Sequence, residues 1–329
     1  MLVLFQDAPS GLGLQQATRY SKLLEAIGKG AAATNKPAVA LSNISDQPHH
    51  ALQAVADRLD MPYLRGTRAG LSAISRYIKW SAASSAPKVA SSSAETDLAR
   101  SELDRVPPYR LPAEHEAREA LRSYGVTGPR EEFVVSPEDA AKAANNIGYP
   151  VVLKGVVENL VHKSDAGLVK VGLSSAAEIR SAAQRMMAAA VKLPDVKFLG
   201  FLVQQKVSSV GEIFVGARDS EFGPLVIVGA GGVQVELYKD VAIRLAPIDE
   251  ELAQEAIAST RVAKLLGGFR GAPAGDVRAV ARTVSALSRF MTDFADRIAE
   301  VEINPLAVLA EGHGCVALDC VVIPKNYAR

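Results

Sequence analysis

Between residues 82 and 105 the chain reads AASSAPKVASSSAETDLARSELDR, rich in Ala and Ser and poor in large apolar side chains. Such a stretch has little to bury and reads as an exposed linker with a helical end. It splits the 329 residues into two blocks, and each must find a core of its own.

The first block, residues 1–81, alternates strand and helix signals. LVLF and PAVALS are short apolar strands. LGLQQATRYSKLLEAIGKGAAAT, HHALQAVADRL and RAGLSAISRYIKWS have helical character, and a short PYLRG lies between the last two. Alternation of this kind predicts a parallel sheet with helices on its faces. Two or three strands make a poor sheet, however. The block is expected to be the second half of a doubly wound domain whose first half is absent, since unpaired strand edges are a liability.

The second block, residues 106–329, predicts a mixed α+β domain. AEHEAREALRSYG is an amphipathic helix ending at Gly125, and PEDAAKAANNIG is a helix with Pro137 in its first turn. EEFVVS, YPVVLKG, LVKVGLS, FLVQQKV, EIFVGARD and PLVIVGAGG read as strands, and SAAEIRSAAQRMMAAAV as a helix. A helical region from Glu250 to about Phe294 is broken at GGFRGAPAGD. AEVEINPLAVLA and CVALDCVVI then form an antiparallel pair round the turn EGHG.

The bulk numbers narrow the function. Thirty-seven basic residues against 36 acidic ones give a net charge of +1, so no electrostatic nucleic-acid or membrane-surface partner is expected. No apolar run has the length of a membrane span, and MLVLFQDAPSG lacks the basic lead-in of a signal peptide. Cys315 and Cys320 lie five apart in a strand-like stretch, so they should face opposite sides of a sheet, unbridged and without metal-ligand spacing. The expected compartment is a reducing cytoplasm.

Several segments carry chemistry. EVEINPL and ALDC place the hard oxygens of Glu302, Asn304 and Asp319 on adjacent strands, and Glu302 and Asn304 share a face because they are two apart. Oxygen donors without His or Cys suit Mg²⁺ bridging to substrate phosphates. The alternative is a polar strand edge, weakened by the apolar residues around it. FGPLVIVGAGG ends in Gly229, Gly231 and Gly232, which permit close backbone approach to a phosphate or simply a tight turn. Lys154 closes an apolar strand and either snorkels or binds phosphate. Arg244 and Arg270 are candidate anion clamps or surface ion pairs. His162, in NLVHKSDAG, is a candidate phosphoryl carrier, against the plain alternative of a solvated loop histidine. His49, His50, His115 and His313 fall in that plain class.

Taken in order, GYPVVLK, HKSDAG, VGEIFVGARDSEFGP, VGAGG, GGFRGAP and EINPL…ALD, from about Leu111 to Ile323, resemble the ATP-grasp domain of the ADP-forming acyl-CoA synthetases, relatives of succinyl-CoA synthetase. PYLRGTRAGLSAI resembles the end of the flavodoxin-like, succinyl-CoA-ligase-like domain of single-chain members. The resemblance implies the reaction acid + CoA + ATP = acyl-CoA + ADP + phosphate. It implies His162 as the phosphoryl carrier and Lys154 as a ligand of ATP or ADP phosphates. Gln204, Gln205 and Val207 would line the adenine pocket, with Glu212, Gly231, Gly232 and Arg244 near the nucleotide. Asn304 and Asp319 would ligate Mg²⁺, with Glu302 beside them.

One departure is Leu168, where the family has a second glycine after HKSD-x. The CoA-binding domain and the first phosphohistidine segment are missing from the sequence. CoA is therefore expected on another domain or subunit, the substrate is a small carboxylic acid, and the working form is an oligomer. Two other readings stay open: an ATP-grasp ligase that makes an acyl phosphate for an amine, and a non-catalytic ATP-binding module.

Overall fold

The computed structural model describes residues 1–83, 91–107, 110–158, 166–193, 197–231, 240–268, 271 and 273–327. They group into two units, Met1–Pro87 and Lys88–Arg329.

In the first unit, β1 (Leu2–Phe5), β2 (Ala38–Ser42) and β3 (Tyr63–Arg65) form a parallel sheet in the order β1-β2-β3. Helices α1 (Leu14–Ala33) and α2 (His50–Arg58) cover one face, and Leu24, Leu52, Ala56 and Met61 pack there beside Ala40. Helix α3 (Thr67–Ala83) lies on the other face. Its Gly70 is so close to the sheet that a Cβ would fall 2.1 Å from Leu41 Cδ1, and the leucine side chain would have to shift to admit one. The central strand β2 is covered, but on the edge strand β1 the side chains of Val3 and Phe5 stay 38% and 52% exposed. A parallel sheet normally buries both faces, whereas on this one part of β1 is exposed. His49 is not a solvated histidine. It is buried, and its Nδ1 accepts the Ala51 N–H at 3.2 Å to cap α2.

Within residues 82–105, expected as a linker with a helical end, Ser93–Asp104 is helix α4. Ser92 Oγ accepts the Glu95 N–H at 3.2 Å and Glu95 accepts the Ser92 N–H at 2.7 Å, a reciprocal cap. Ala99 is fully buried in the core of the second unit, Leu103 packs against it, and Asp104 accepts Arg297 Nη2 at 2.7 Å. A helix with so little apolar surface is easily mistaken for linker.

The second unit has two antiparallel sheets. Strands β4 (Glu131–Val134), β5 (Val151–Val157), β6 (Val169–Leu173) and β7 (Phe198–Gln205) are ordered β4-β7-β5-β6. Val151, Leu153, Phe201 and Val203 share one face and pack on helices α6 (Pro137–Ile147) and α7 (Ala176–Ala190). The start of α6 is set by Ser136, whose Oγ accepts the Asp139 N–H at 3.1 Å, and by Pro137 in its first turn. Its end is Gly148 at φ +93°, a conformation that favours glycine.

The larger sheet holds β8 (Gly211–Arg218), β9 (Leu225–Ala230), β10 (Val241–Leu245), β11 (Ile298–Val308), β12 (Cys315–Ala317) and β13 (Cys320–Pro324). Its order is β10-β9-β8-β11-β12, with β13 also on β11. Strand β10 is not evident in the sequence, where the charges of RLAPID stand out more than its short alternation. The helical region breaks into α8 (Glu250–Ala258), α9 (Val262–Leu266) and α10 (Val277–Asp293). Asp276 caps α10 through the Ala279 N–H at 3.0 Å and also accepts the Gly314 N–H at 2.9 Å, tying the β11–β12 turn to the helix. With them packs α5 (Glu114–Arg122), whose following Tyr124 meets Phe290 edge-on at 5.3 Å.

Cys315 and Cys320 do not face opposite sides. Both are buried in the same core, because the strand is interrupted at Leu318–Asp319 and the alternation restarts. Burial pushes the pKa of the Cys320 thiol up to about 12. Among the described residues no helix is long and apolar enough to cross a membrane.

Phe290 is fully buried at the centre of the large core. Phe290→Ala is expected to lower stability by about 3–5 kcal/mol. Val191→Ala, at an exposed position, should change it by less than about 0.5 kcal/mol. Urea denaturation of the two variants checks both, and equal midpoints would contradict the packing described.

Candidate functional site

The polar face of the four-stranded sheet is the starting point. Register places Gln204 opposite Glu131 and Val152, and Lys154 opposite Leu202, so Glu131, Lys154 and Gln204 share the face turned away from α6 and α7. Lys154 is 7% exposed and Gln204 2%. Burial at that level demands partners, and α5 supplies them. Glu114 Oε1 accepts three bonds: from Lys154 Nζ at 2.6 Å, Arg118 Nη2 at 2.7 Å and Gln204 Nε2 at 2.9 Å. Gln204 Nε2 also donates to Glu131 Oε2 at 2.7 Å, and Arg118 Nη1 pairs with the same carboxylate oxygen. Two carboxylates thus balance two cations in a buried network.

The network crosses to the large sheet. Arg118 Nε donates to the Ala317 carbonyl at 3.2 Å, Arg118 Nη2 to the Leu318 carbonyl at 3.1 Å, and Lys154 Nζ to the same Leu318 carbonyl at 2.8 Å. These carbonyls are available because β12 ends at Ala317 and β13 starts only at Cys320. Burial works against the Arg118 charge, but the neighbouring Glu114 and Glu131 carboxylates raise its pKa above the ordinary value.

Directly after Leu318 stands Asp319, whose carbonyl accepts the Asn304 N–H at 3.1 Å; Leu318 N–H in turn donates to Pro305 O at 3.0 Å. Along β11 the alternation buries Val301 and Ile303 and leaves Glu302 and Asn304 half-buried on the outer face. Glu302, Asn304 and Asp319 are therefore neighbours, as their spacing suggests. Among the described residues no group of three His, Cys, Asp or Glu could hold a metal alone. Two carboxylates and an amide oxygen fit a hard cation that completes its shell with water and ligand oxygens, which is the habit of Mg²⁺.

The other sequence candidates separate. Glu212 is exposed on β8, on the face that Gly216 shares with its register partner Glu302. Gln205 ends β7, and its Oε1 accepts Arg130 Nε at 3.1 Å. Val207 follows it, half-buried, in the connection to β8. Gly231 donates to Glu212 O at 3.2 Å, and a Cβ there would lie 2.8 Å from the Ile213 carbonyl carbon. Strand packing alone thus requires that glycine. Arg244 stands opposite Val226 on the face that buries Ala242, away from Glu302. A single-residue alternation decides this, and the motif RLAPID does not reveal it. His162, Gly232 and Arg270 lie outside the described residues.

Glu114, Arg118 and Glu131 are absent from the sequence candidates. A signal exists for two of them: Glu114, Ala117, Arg118 and Leu121 follow an i, i+3, i+4, i+7 stripe, which places two charges on the core-facing side of α5. His115, expected to be solvated, stacks on Phe133 at 4.5 Å, and burial lowers its pKa.

Comparison with known proteins follows the same residues. The ATP-grasp domain family matches residues 109–323. A 4-hydroxybutyrate–CoA ligase (ADP-forming) of Nitrosopumilus maritimus is 34% identical over 261 residues, covering 78% of this chain and 37% of that protein. The chain thus spans little more than a third of this longer relative. The beta subunit of the ADP-forming acetate–CoA ligase II of Pyrococcus furiosus is 33% identical over 215 residues, 65% of this chain and 91% of the subunit. Among solved structures, a chain of acetyl-coenzyme A synthetase 1 from Ca. Korarchaeum cryptofilum, in complex with coenzyme A and Ca-AMPCP, aligns with a TM-score of 0.64. It is 34% identical and covers 70% of this chain and all of its own.

Arg118 also explains Gly128, where an added Cβ would fall 2.2 Å from Arg118 Cδ. The guanidinium is held from several sides, so the side chain cannot step aside cheaply. Gly128→Ala is expected to destabilise the protein by about 1–3 kcal/mol, read by thermal denaturation. Wild-type stability in that variant would show that the arginine is not rigidly held.

Proposed function

Because the chain belongs to the ATP-grasp domain family, as its ADP-forming acyl-CoA ligase relatives do, we propose that it is the nucleotide-binding, phosphoryl-accepting half of an ADP-forming acyl-CoA synthetase. The whole reaction converts a carboxylic acid, CoA and ATP to acyl-CoA, ADP and phosphate. The observation that best supports this is the convergence of Lys154 with the Asn304–Asp319 strand ends through Leu318.

In this reading Lys154 donates to nucleotide phosphate oxygens as a compact cation. Gln204, Gln205 and Val207 would line the base, and Glu212, exposed on β8, would meet the same ligand. Gly231 brings main chain against Glu212, and Gly232 enters only through the family resemblance. Asn304 and Asp319, with Glu302 beside them, would hold Mg²⁺, which supplies neutralisation of phosphate charge. The reading needs no part from Arg244.

His162 takes the phosphoryl group. A neutral ring nitrogen forms the N–P bond as the bond from the γ-phosphorus to the bridging oxygen breaks, and ADP leaves. An unperturbed imidazole is largely neutral at pH 7. The thioester-forming step belongs to a CoA-binding domain or subunit that carries the other phosphohistidine segment. Assembly with it in the cytoplasm, as an oligomer, completes the enzyme.

Incubation with γ-labelled ATP and Mg²⁺ is expected to label the chain through an acid-labile, base-stable bond. His162→Asn should abolish the label while leaving nucleotide binding intact. An acid-stable label, or labelling unchanged in the variant, would overturn the carrier assignment.

A further inference from the structure

The proposed nucleotide reading gives Lys154 a task but does not say what aims it. A lysine on a free four-carbon stem samples many positions, and fixing one costs rotamer entropy. Lys154 is not free. Of its three N–H bonds, one goes to Glu114 Oε1 at 2.6 Å and one to Leu318 O at 2.8 Å, while the side chain is 8% exposed. Those two bonds fix the ammonium in space, and among the described residues the third N–H is left for a ligand.

Glu114 is itself held. It sits in the first turn of α5, where the helix N-terminus favours a carboxylate, and it also accepts Arg118 Nη2 and Gln204 Nε2. Its side chain is 0% exposed, so the charge cannot drift to water. We propose that Glu114 is a positioning residue for Lys154: through one carboxylate oxygen it fixes the ammonium beside Leu318, one residue from Asp319, with a donor turned to the nucleotide phosphates. Arg118 and Glu131 form the outer ring. Arg118 keeps Glu114 in place, and Glu131 keeps the sum of charges balanced. This inference rests on the nucleotide reading above.

The structural alternative is that Glu114 only stabilises the fold, and a double-mutant cycle separates the two. The Kd of ADP with Mg²⁺ is measured by calorimetry for wild type, Glu114→Gln, Lys154→Met and the double variant. Gln keeps the shape and can still accept, but lacks the charge. Lys154→Met and Glu114→Gln should each weaken ADP by at least about tenfold. The double variant should be no weaker than Lys154→Met alone, because Glu114 acts through the lysine. If Glu114→Gln weakens ADP as much in the Lys154→Met background as in wild type, or not at all, the positioning role is wrong. If Lys154→Met itself leaves ADP binding unchanged, the nucleotide reading fails first and this inference with it. Should Glu114→Gln not fold alone, Glu114→Gln combined with Arg118→Met removes one charge of each sign. That pair then takes the place of the single variant in the same cycle.

Discussion

The second unit depends on one carboxylate oxygen. Glu114 Oε1 accepts from a lysine of one sheet, a glutamine of the same sheet and an arginine of its own helix. The lysine and the arginine continue to carbonyls at the broken end of the other sheet. Directional bonds to Ala317 and Leu318 set where Asp319 stands relative to Lys154. A buried ion network of this kind adds little net stability, because desolvation offsets much of its attraction. Removing one member is another matter, since the rest are left as uncompensated buried charge. Such a network therefore specifies geometry more than it stabilises.

That division of labour suits phosphoryl transfer, in which the protein contributes positioning and charge neutralisation more than covalent chemistry. The apolar cores, with Phe290 and Phe294 in the larger and Phe201 and Leu153 in the smaller, hold two rigid sheets. The polar face between them carries the functional groups. Donors and acceptors placed on rigid elements keep their geometry better than those on loops. The interruption at Leu318–Asp319 is part of this, because Leu318, outside both strands, and Ala317, the last residue of β12, offer their carbonyls to Lys154 and Arg118.

Much of this is legible in the chain. Alternating blocks predict the parallel sheet of the first unit, and EINPL with ALDC places Glu302, Asn304 and Asp319 together, since residues two apart share a strand face. Lys154 stands out as a charge in an apolar strand, although that strand does not close there but runs on to Val157. Other features lie beyond local pattern. Ser93–Asp104 reads as the helical end of a linker because its one fully buried side chain is Ala99, and alanine carries almost no periodic signal. Cys315 and Cys320 read as facing apart because strand parity says nothing about a break between them. Arg244 reads as a clamp because its neighbours in sequence do not show which face of β10 it takes.

Local pattern along the chain is enough to dictate most of the elements, the two separate cores and the residue types at the site. Apolar periodicity, caps and turn residues act over a few positions, so they can be read without a fold. The meeting of Glu114 on α5 with Lys154 on β5, 40 positions away, and of Arg118 with Leu318, 200 away, exists only in three dimensions. Contacts of that separation follow from how two sheets dock, and docking depends on the summed shape of both cores. The charged partners then lock the one arrangement that leaves no buried charge alone.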